Sequence, residues 1–191
     1  MSLNKKYLNK ANCLHTIYSY QRPPPIVAQL CLGCLENTVS GICAFFGHRD
    51  TPYTVELENK VEEIVRALIA KGVDEFWVCY EGNFDWISRM VMSKIKAEFK
   101  SEIYVCFVCA YNPDKYSKTR RDWLCERYEI IYPPEVADGP QKFAIERRNK
   151  YIVDNVGYLI CYVKYKTGGA YRALIYAKKC DKKIINIADL L

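Results

Sequence analysis

Apolar residues along the chain follow two alternating patterns. Short, nearly unbroken apolar runs at 42–46, 75–80, 103–110, 128–132, 156–163 and 183–187 mostly stop at glycine, proline or a charged residue. Unbroken runs of this length predict strands buried on both faces, as in a parallel sheet covered by helices. Between them lie longer stretches with helical spacing. The clearest, 51–72, places Leu57, Val61, Ile64, Val65, Leu68 and Ile69 on one face. Thr54 is a good N-cap for it, Glu56 and Glu58 suit its positive start, and Gly72 suits its stop. A second helix carries Phe84, Ile87, Val91 and Ile95; further helices are expected at 140–154, with Pro140 in the first turn, and at 170–179. The segment 111–127 fits neither period: Asn112-Pro113-Asp114 reads as a turn and 115–121 is basic.

Strands alternating with helices predict an α/β fold, a Rossmann-like doubly wound, mostly parallel sheet flanked by helices, over residues 41–191. Residues 1–40 stand apart as an N-terminal extension, lysine-rich, then tyrosine-rich, then Gln21-Arg22-Pro23-Pro24-Pro25. The three prolines favour an extended conformation there.

Composition narrows the picture. A chain of 191 residues suits one domain with a full core, and 50% apolar with 26% charged residues is an ordinary globular balance. The net charge of +6 favours anionic ligands but lacks the dense basic stripe of a dedicated nucleic-acid binder. Cys43, Cys79, Cys106, Cys109 and Cys161 fall inside the strand runs, where thiols pack as small hydrophobes, so a reduced, cytoplasmic protein is expected. The apolar stretch 26–35 is too short to span a bilayer, and no membrane partner is expected. Metal-ligand character is confined to Cys13, His15, Cys31 and Cys34; Cys31-x-x-Cys34 is half of a zinc site, but Cys13-x-His15 is a poor second half, so zinc is not favoured. Assembly into a homo-oligomer is left open.

Three turns are expected at one edge of the sheet: Gly47-His48-Arg49, Gly82-Asn83 and Thr167-Gly168-Gly169. Ligands of such sheets bind beyond the carboxyl ends of the strands. Each turn is read as leading into a helix, whose first N–H groups and dipole attract anions, and Arg49 adds a fork suited to phosphate or carboxylate. The chain has neither Gly-x-x-x-x-Gly-Lys-Ser/Thr nor Gly-x-Gly-x-x-Gly, so a P-loop and a standard dinucleotide fingerprint are both excluded. The expectation is a single positively polarised pocket for a phosphate-bearing ligand.

Phe45-Phe46-Gly47-His48-Arg49, Tyr80-Glu81-Gly82-Asn83-Phe84-Asp85, Arg148-Asn149-Lys150-Tyr151-Ile152-Val153-Asp154, Gly168-Gly169-Ala170 and Ile184-Ile185-Asn186-Ile187 come in a familiar order. In these motifs the chain resembles the SLOG superfamily, the DprA and LOG relatives, and within it the YpsA-like branch, over about residues 41–188. The resemblance implies a pocket for nucleotides or nucleotide-derived signals. Gly47, His48 and Arg49 would line its first loop, and Gly82, Asn83 and Asp85 its second. Arg148 and Asn149 would reach in from a later helix, and Thr167, Gly168 and Gly169 would cradle a phosphate. Asp85 reads equally well as a cap for backbone N–H groups.

The LOG enzymes release the base from a nucleoside monophosphate with a glutamate placed after Pro-Gly-Gly-x-Gly-Thr. Here the run is Lys166-Thr167-Gly168-Gly169-Ala170-Tyr171-Arg172-Ala173-Leu174, without the proline, the Gly-Thr pair or the acid. Glycosidic hydrolysis needs a carboxylate. Glu81 or Asp85 would have to supply it, so binding is favoured over catalysis: a nucleotide sensor, or a sink in conflict between bacteria and phages. A third reading, single-stranded DNA binding as in DprA, rests on Lys115, Lys118, Arg120 and Arg121 among Tyr111, Tyr116 and Trp123. It ranks last.

Overall fold

The computed structural model describes residues 41–191, so the extension and its candidate zinc ligands Cys13, His15, Cys31 and Cys34 lie outside the described residues. Six strands form one sheet: β1 Ile42–Gly47, β2 Glu75–Val78, β3 Tyr104–Val108, β4 Glu129–Ile131, β5 Tyr158–Tyr162 and β6 Lys183–Asn186. Their order is β4-β3-β2-β1-β5-β6 and every pairing is parallel. The helices are α1 Val55–Ala70, α2 Asn83–Phe99, α3 Lys118–Arg127, the short α4 Pro134–Ala137, α5 Ala144–Asn155 and α6 Gly168–Lys179. This is the doubly wound α/β sheet that the alternating pattern predicts.

The chain builds outward from β1 through β2, β3 and β4, then returns to place β5 on the other side of β1. Because parallel crossovers are right-handed, the reversal sends later helices to the opposite face. Cys43 and Phe45 of β1 therefore pack with Leu57 and Val61 of α1, Phe84 and Ile87 of α2, and Leu124 of α3. Ala44 and Phe46 pack with Ile152 and Val153 of α5 and Ala173, Leu174 and Ala177 of α6. A strand covered on both sides has no polar face, which explains the unbroken apolar run. The strand cysteines Cys43, Cys79, Cys106, Cys109 and Cys161 are all buried; burial pushes the Cys109 and Cys161 thiols up to about 12, away from thiolate chemistry.

α1 starts at Val55 rather than Thr51, capped by Thr54, whose side chain accepts from Leu57 N at 3.1 Å. Thr51 is withdrawn from the helix because its hydroxyl donates to His48 O at 2.7 Å. The single helix expected over 140–154 is divided. Gly139 takes φ +117, Pro140 caps a 3-10 turn over Gln141–Phe143, and α5 begins only at Ala144. The Arg147 guanidinium fastens that bend by donating to Val136 O, Gly139 O and Pro140 O. Residues 111–127 resolve into a 3-10 turn, Pro113–Lys115, and α3. Among the described residues no helix is long and apolar enough to cross a membrane.

Two glycines set how closely β1 meets α2. A Cβ on Gly47 would stand 2.3 Å from Phe84 Cβ, and one on Gly82 would stand 2.6 Å from Arg49 Cα. A Cβ on Gly169 would meet only Asn149 Nδ2, at 3.9 Å. Overpacking costs about 1–3 kcal/mol, so Gly47→Ala and Gly82→Ala are expected to lower stability by that order in denaturant titration, while Gly169→Ala leaves it within about 0.5 kcal/mol. Equal losses at the three positions would refute this account of the packing.

Candidate functional site

The order of strands reverses beside β1, so a crevice opens between the carboxyl ends of β1 and β5. The loop leaving β1 is stitched to both of its neighbours. His48 N donates to Tyr162 O at 3.3 Å, and Tyr165 N donates to His48 Nε2 at 3.0 Å. His48 thus ties the end of β1 to the loop after β5. On the other side Asn83 N donates to Arg49 O at 2.9 Å, and Asn83 Nδ2 donates to Thr51 O at 3.1 Å. The first loop does not run straight into a helix as expected, since α1 begins only at Val55.

Arg49 is held by its inner edge. Its Nε donates to Glu81 O at 3.1 Å, and among the described residues no acceptor takes the two Nη groups of the fork. The Glu81 carboxylate is itself engaged, because Oε2 accepts from Nη1 of the buried Arg148 on α5. The other side of that guanidinium donates to Asn149 Oδ1, from Nη2 at 2.8 Å and from Nε at 3.2 Å. A guanidinium offers donors only, so the amide atom facing Arg148 is necessarily the oxygen. Asn149 must then turn its Nδ2 donor the other way, toward Gly169. The chain of contacts from Glu81 through Arg148 orients one amide donor at the start of α6.

A cavity of about 690 Å³ opens between α5 and α6, and Arg49, Asn149 and Gly169 all line it. These come from the end of β1, the middle of α5 and the start of α6. Gly168 adopts φ +83, and the side chain of the cap residue Thr167 makes no capping hydrogen bond to the helix that follows. The first N–H groups of α6 and the positive end of its dipole therefore lie beside Arg49 and the Asn149 amide. Lys142, Phe143, Glu146, Lys150, Arg172 and Tyr176 complete much of the wall. Lys150 is paired with Asp154 at 2.6 Å.

Of the eleven residues singled out in the sequence, three line this cavity: Arg49, Asn149 and Gly169. Thr167 and Gly168 immediately precede Gly169 as the cap and first residue of α6. Gly47, Gly82, His48 and Asn83 are placed in the framework behind them, by close packing and by the loop hydrogen bonds. Arg148 is 3% exposed and Asp85 9% exposed, and neither lines the cavity. Asp85 Oδ2 accepts from Glu81 N at 2.7 Å, the backbone-capping role that the sequence left open. Arg172 and Lys142 were not among the eleven. Arg172 carried a readable signal, a cation on a helix whose first turn holds no acidic residue. Among the described residues no group of three or more histidine, cysteine or acidic side chains is placed to hold a metal ion.

Burial pushes the Asp85 carboxyl up to about 6, with the Glu81 charge adding to the rise and Arg148 opposing it. An acid whose folded value exceeds its unfolded value of about 3.9 takes up protons on folding between the two, so it favours the folded state at low pH. Its contribution is therefore lost as pH rises from about 4 to 6, by about 3 kcal/mol in all. Asp85→Asn should flatten this segment of the stability profile relative to the native sequence. Carbon NMR of the Asp85 carboxyl should show a midpoint near 6; a midpoint at the ordinary aspartate value would refute the assignment.

No protein-family model matches the chain, and no curated protein matches it. Among solved structures the chain is similar to the X-ray structure of DNA processing protein A (DprA) from Streptococcus pneumoniae, with a TM-score of 0.52 and 14% sequence identity. The match covers 74% of this chain and 48% of that one, so the chain spans about half the length of the structure it matches. At that identity the likeness is one of fold: the chain has a DprA-like, Rossmann-like α/β sheet.

Proposed function

We propose that this protein binds a nucleotide or nucleotide-derived small molecule by its phosphate in the cavity between α5 and α6, and acts as a sensor or sequestering module. One observation carries the reading: Arg49, Asn149 and the uncapped start of α6, from three distant parts of the chain, face the same cavity. An unengaged arginine fork, an oriented amide donor and a helix N-terminus together match the oxygens of a phosphate. Its volume lies within the range of about 300–1,000 Å³ typical of small-ligand pockets. Phe143, 49% exposed on the cavity wall, offers an apolar ring face to the rest of the ligand.

The placement of the acids favours binding over catalysis. Glu81 is committed to Arg148, and Asp85 is buried against the Glu81 amide. The acid on the cavity wall is Glu146, so the alternative reading, hydrolysis of a nucleotide N-glycosidic bond, now rests on that side chain. Single-stranded DNA binding through the basic segment is less favoured. Arg120 already stacks on Tyr116 and Tyr80, at 4.3 and 4.9 Å, and Trp123 packs edge-on against Tyr80 and Tyr128. These rings are occupied by one another.

Calorimetry with AMP, GMP, ADP, ADP-ribose and a thymine oligonucleotide tests these readings together. At least one nucleotide should bind, and Arg49→Ala should weaken it by roughly 10- to 100-fold, the loss of one or two charge-assisted hydrogen bonds, with no change in melting temperature. Absence of binding by every nucleotide at millimolar concentration would overturn the proposal. Free base released by the native protein but not by Glu146→Gln would replace it with the hydrolase, and tight, steeply salt-dependent binding of the oligonucleotide alone would replace it with the DNA reading.

A further inference from the structure

We infer that the ligand carries two linked phosphoryl groups, as a nucleoside diphosphate does, and that Arg172 and Lys142 hold the second of them. This rests on the phosphate-binding reading of the cavity and adds to it a requirement on charge. Five cationic side chains line the cavity: Arg49, Lys142, Arg147, Lys150 and Arg172. Against them stand Glu146 on the wall and Asp154, which takes Lys150, so three positive charges are left over. Arg49 and Arg147 direct their described hydrogen bonds to neutral carbonyls, which anchor them without cancelling charge. A phosphate monoester brings about −1.5 to −2, less than this excess. A second phosphoryl group closes the gap.

The placement of the charges points the same way. Gly169 and Asn149 approach each other at the start of α6, where a first phosphate meets the helix N–H groups. Arg172 lies three residues further along α6, about 4.5 Å of rise, and lines the same cavity, which puts its guanidinium within reach of a second group joined to the first. It has no acidic residue in the first turn of its own helix and no ion-pair partner among the described residues. As the fifth residue of α6 it stands past the first turn and lines the cavity, so its charge is available to an anion there. Lys142, in the 3-10 turn before α5, lines the cavity on the side away from α6, with its ammonium 4.9 Å from the Phe143 ring centre.

Titration calorimetry of the full chain with AMP and ADP, with inorganic phosphate and pyrophosphate as base-free controls, all at one ionic strength, tests the inference. ADP should bind at least about tenfold tighter than AMP, and pyrophosphate tighter than phosphate, the effect of one added charge-assisted contact. Arg172→Gln and Lys142→Gln should each narrow the ADP-to-AMP ratio, with melting temperatures confirming that both variants fold. Equal binding of AMP and ADP, or a ratio untouched in both variants, overturns the inference and leaves the phosphate reading in place. Failure of all four ligands to bind overturns the inference, and it removes the phosphate reading too only if GMP and ADP-ribose also fail. Should one variant fail to fold, the native ratio and the other variant still decide.

Discussion

Everything at the carboxyl edge of the sheet depends on β1 being paired on both sides. It runs parallel to β2, with Ile42 opposite Glu75, and parallel to β5, with Gly47 opposite Tyr162. Those two partners are distant in sequence, and only the parallel register brings their outgoing loops to the same edge. The reversal of winding beside β1 then parts the helices, α1 to α3 on one face and α5 and α6 on the other. The crevice is thus a consequence of topology before any polar residue is considered. Its floor is narrow because Gly47 and Gly82 let α2 and the first loop press against each other at backbone distance.

On that framework a buried cation serves as an organiser. Arg148 is nearly inaccessible, and a charge in that position is tolerable only if its donors are satisfied. Glu81 satisfies one side and the Asn149 oxygen the other. The result is a rigid link from the loop after β2, through α5, to the amide that faces the start of α6. Asp85 completes the arrangement from the opposite side by receiving the Glu81 amide. The polar groups at this edge are split into two populations. One holds the loops and the other lines the cavity.

The fold was largely legible in the sequence because a parallel sheet writes itself as unbroken apolar runs and its helices as one apolar stripe each. Phe84, Ile87, Val91 and Ile95, read as the stripe of the second helix, are all fully buried. The Thr54 cap was legible because its hydroxyl acts within one turn. What local pattern could not show was the use of residues by distant partners. Thr51 leaves α1 for His48, and the Arg147 guanidinium bends the entry to α5 around Gly139. The site was legible in part for the same reason. Arg49, Asn149 and Gly169 could be picked out by residue type beside strand ends, but whether Arg148 or Asn149 faces the cavity depends on how α5 is rotated against the sheet.

That rotation also explains why the wall of the cavity is cationic while the residues behind it are balanced. On α5, Arg148, Asn149, Ile152 and Val153 are buried, and Glu146 and Lys150 are exposed. A charge turned inward must find its opposite, and Arg148 has Glu81. A charge on the cavity side is under no such requirement while water fills the space, because solvent screens it at little cost. Uncompensated cations can therefore accumulate only on the wall, and they do so on both sides of the cavity, as Lys142 before α5 and Arg172 on α6. A ligand that displaces the water takes over the screening, so the excess charge on the wall becomes a requirement on the charge of whatever enters.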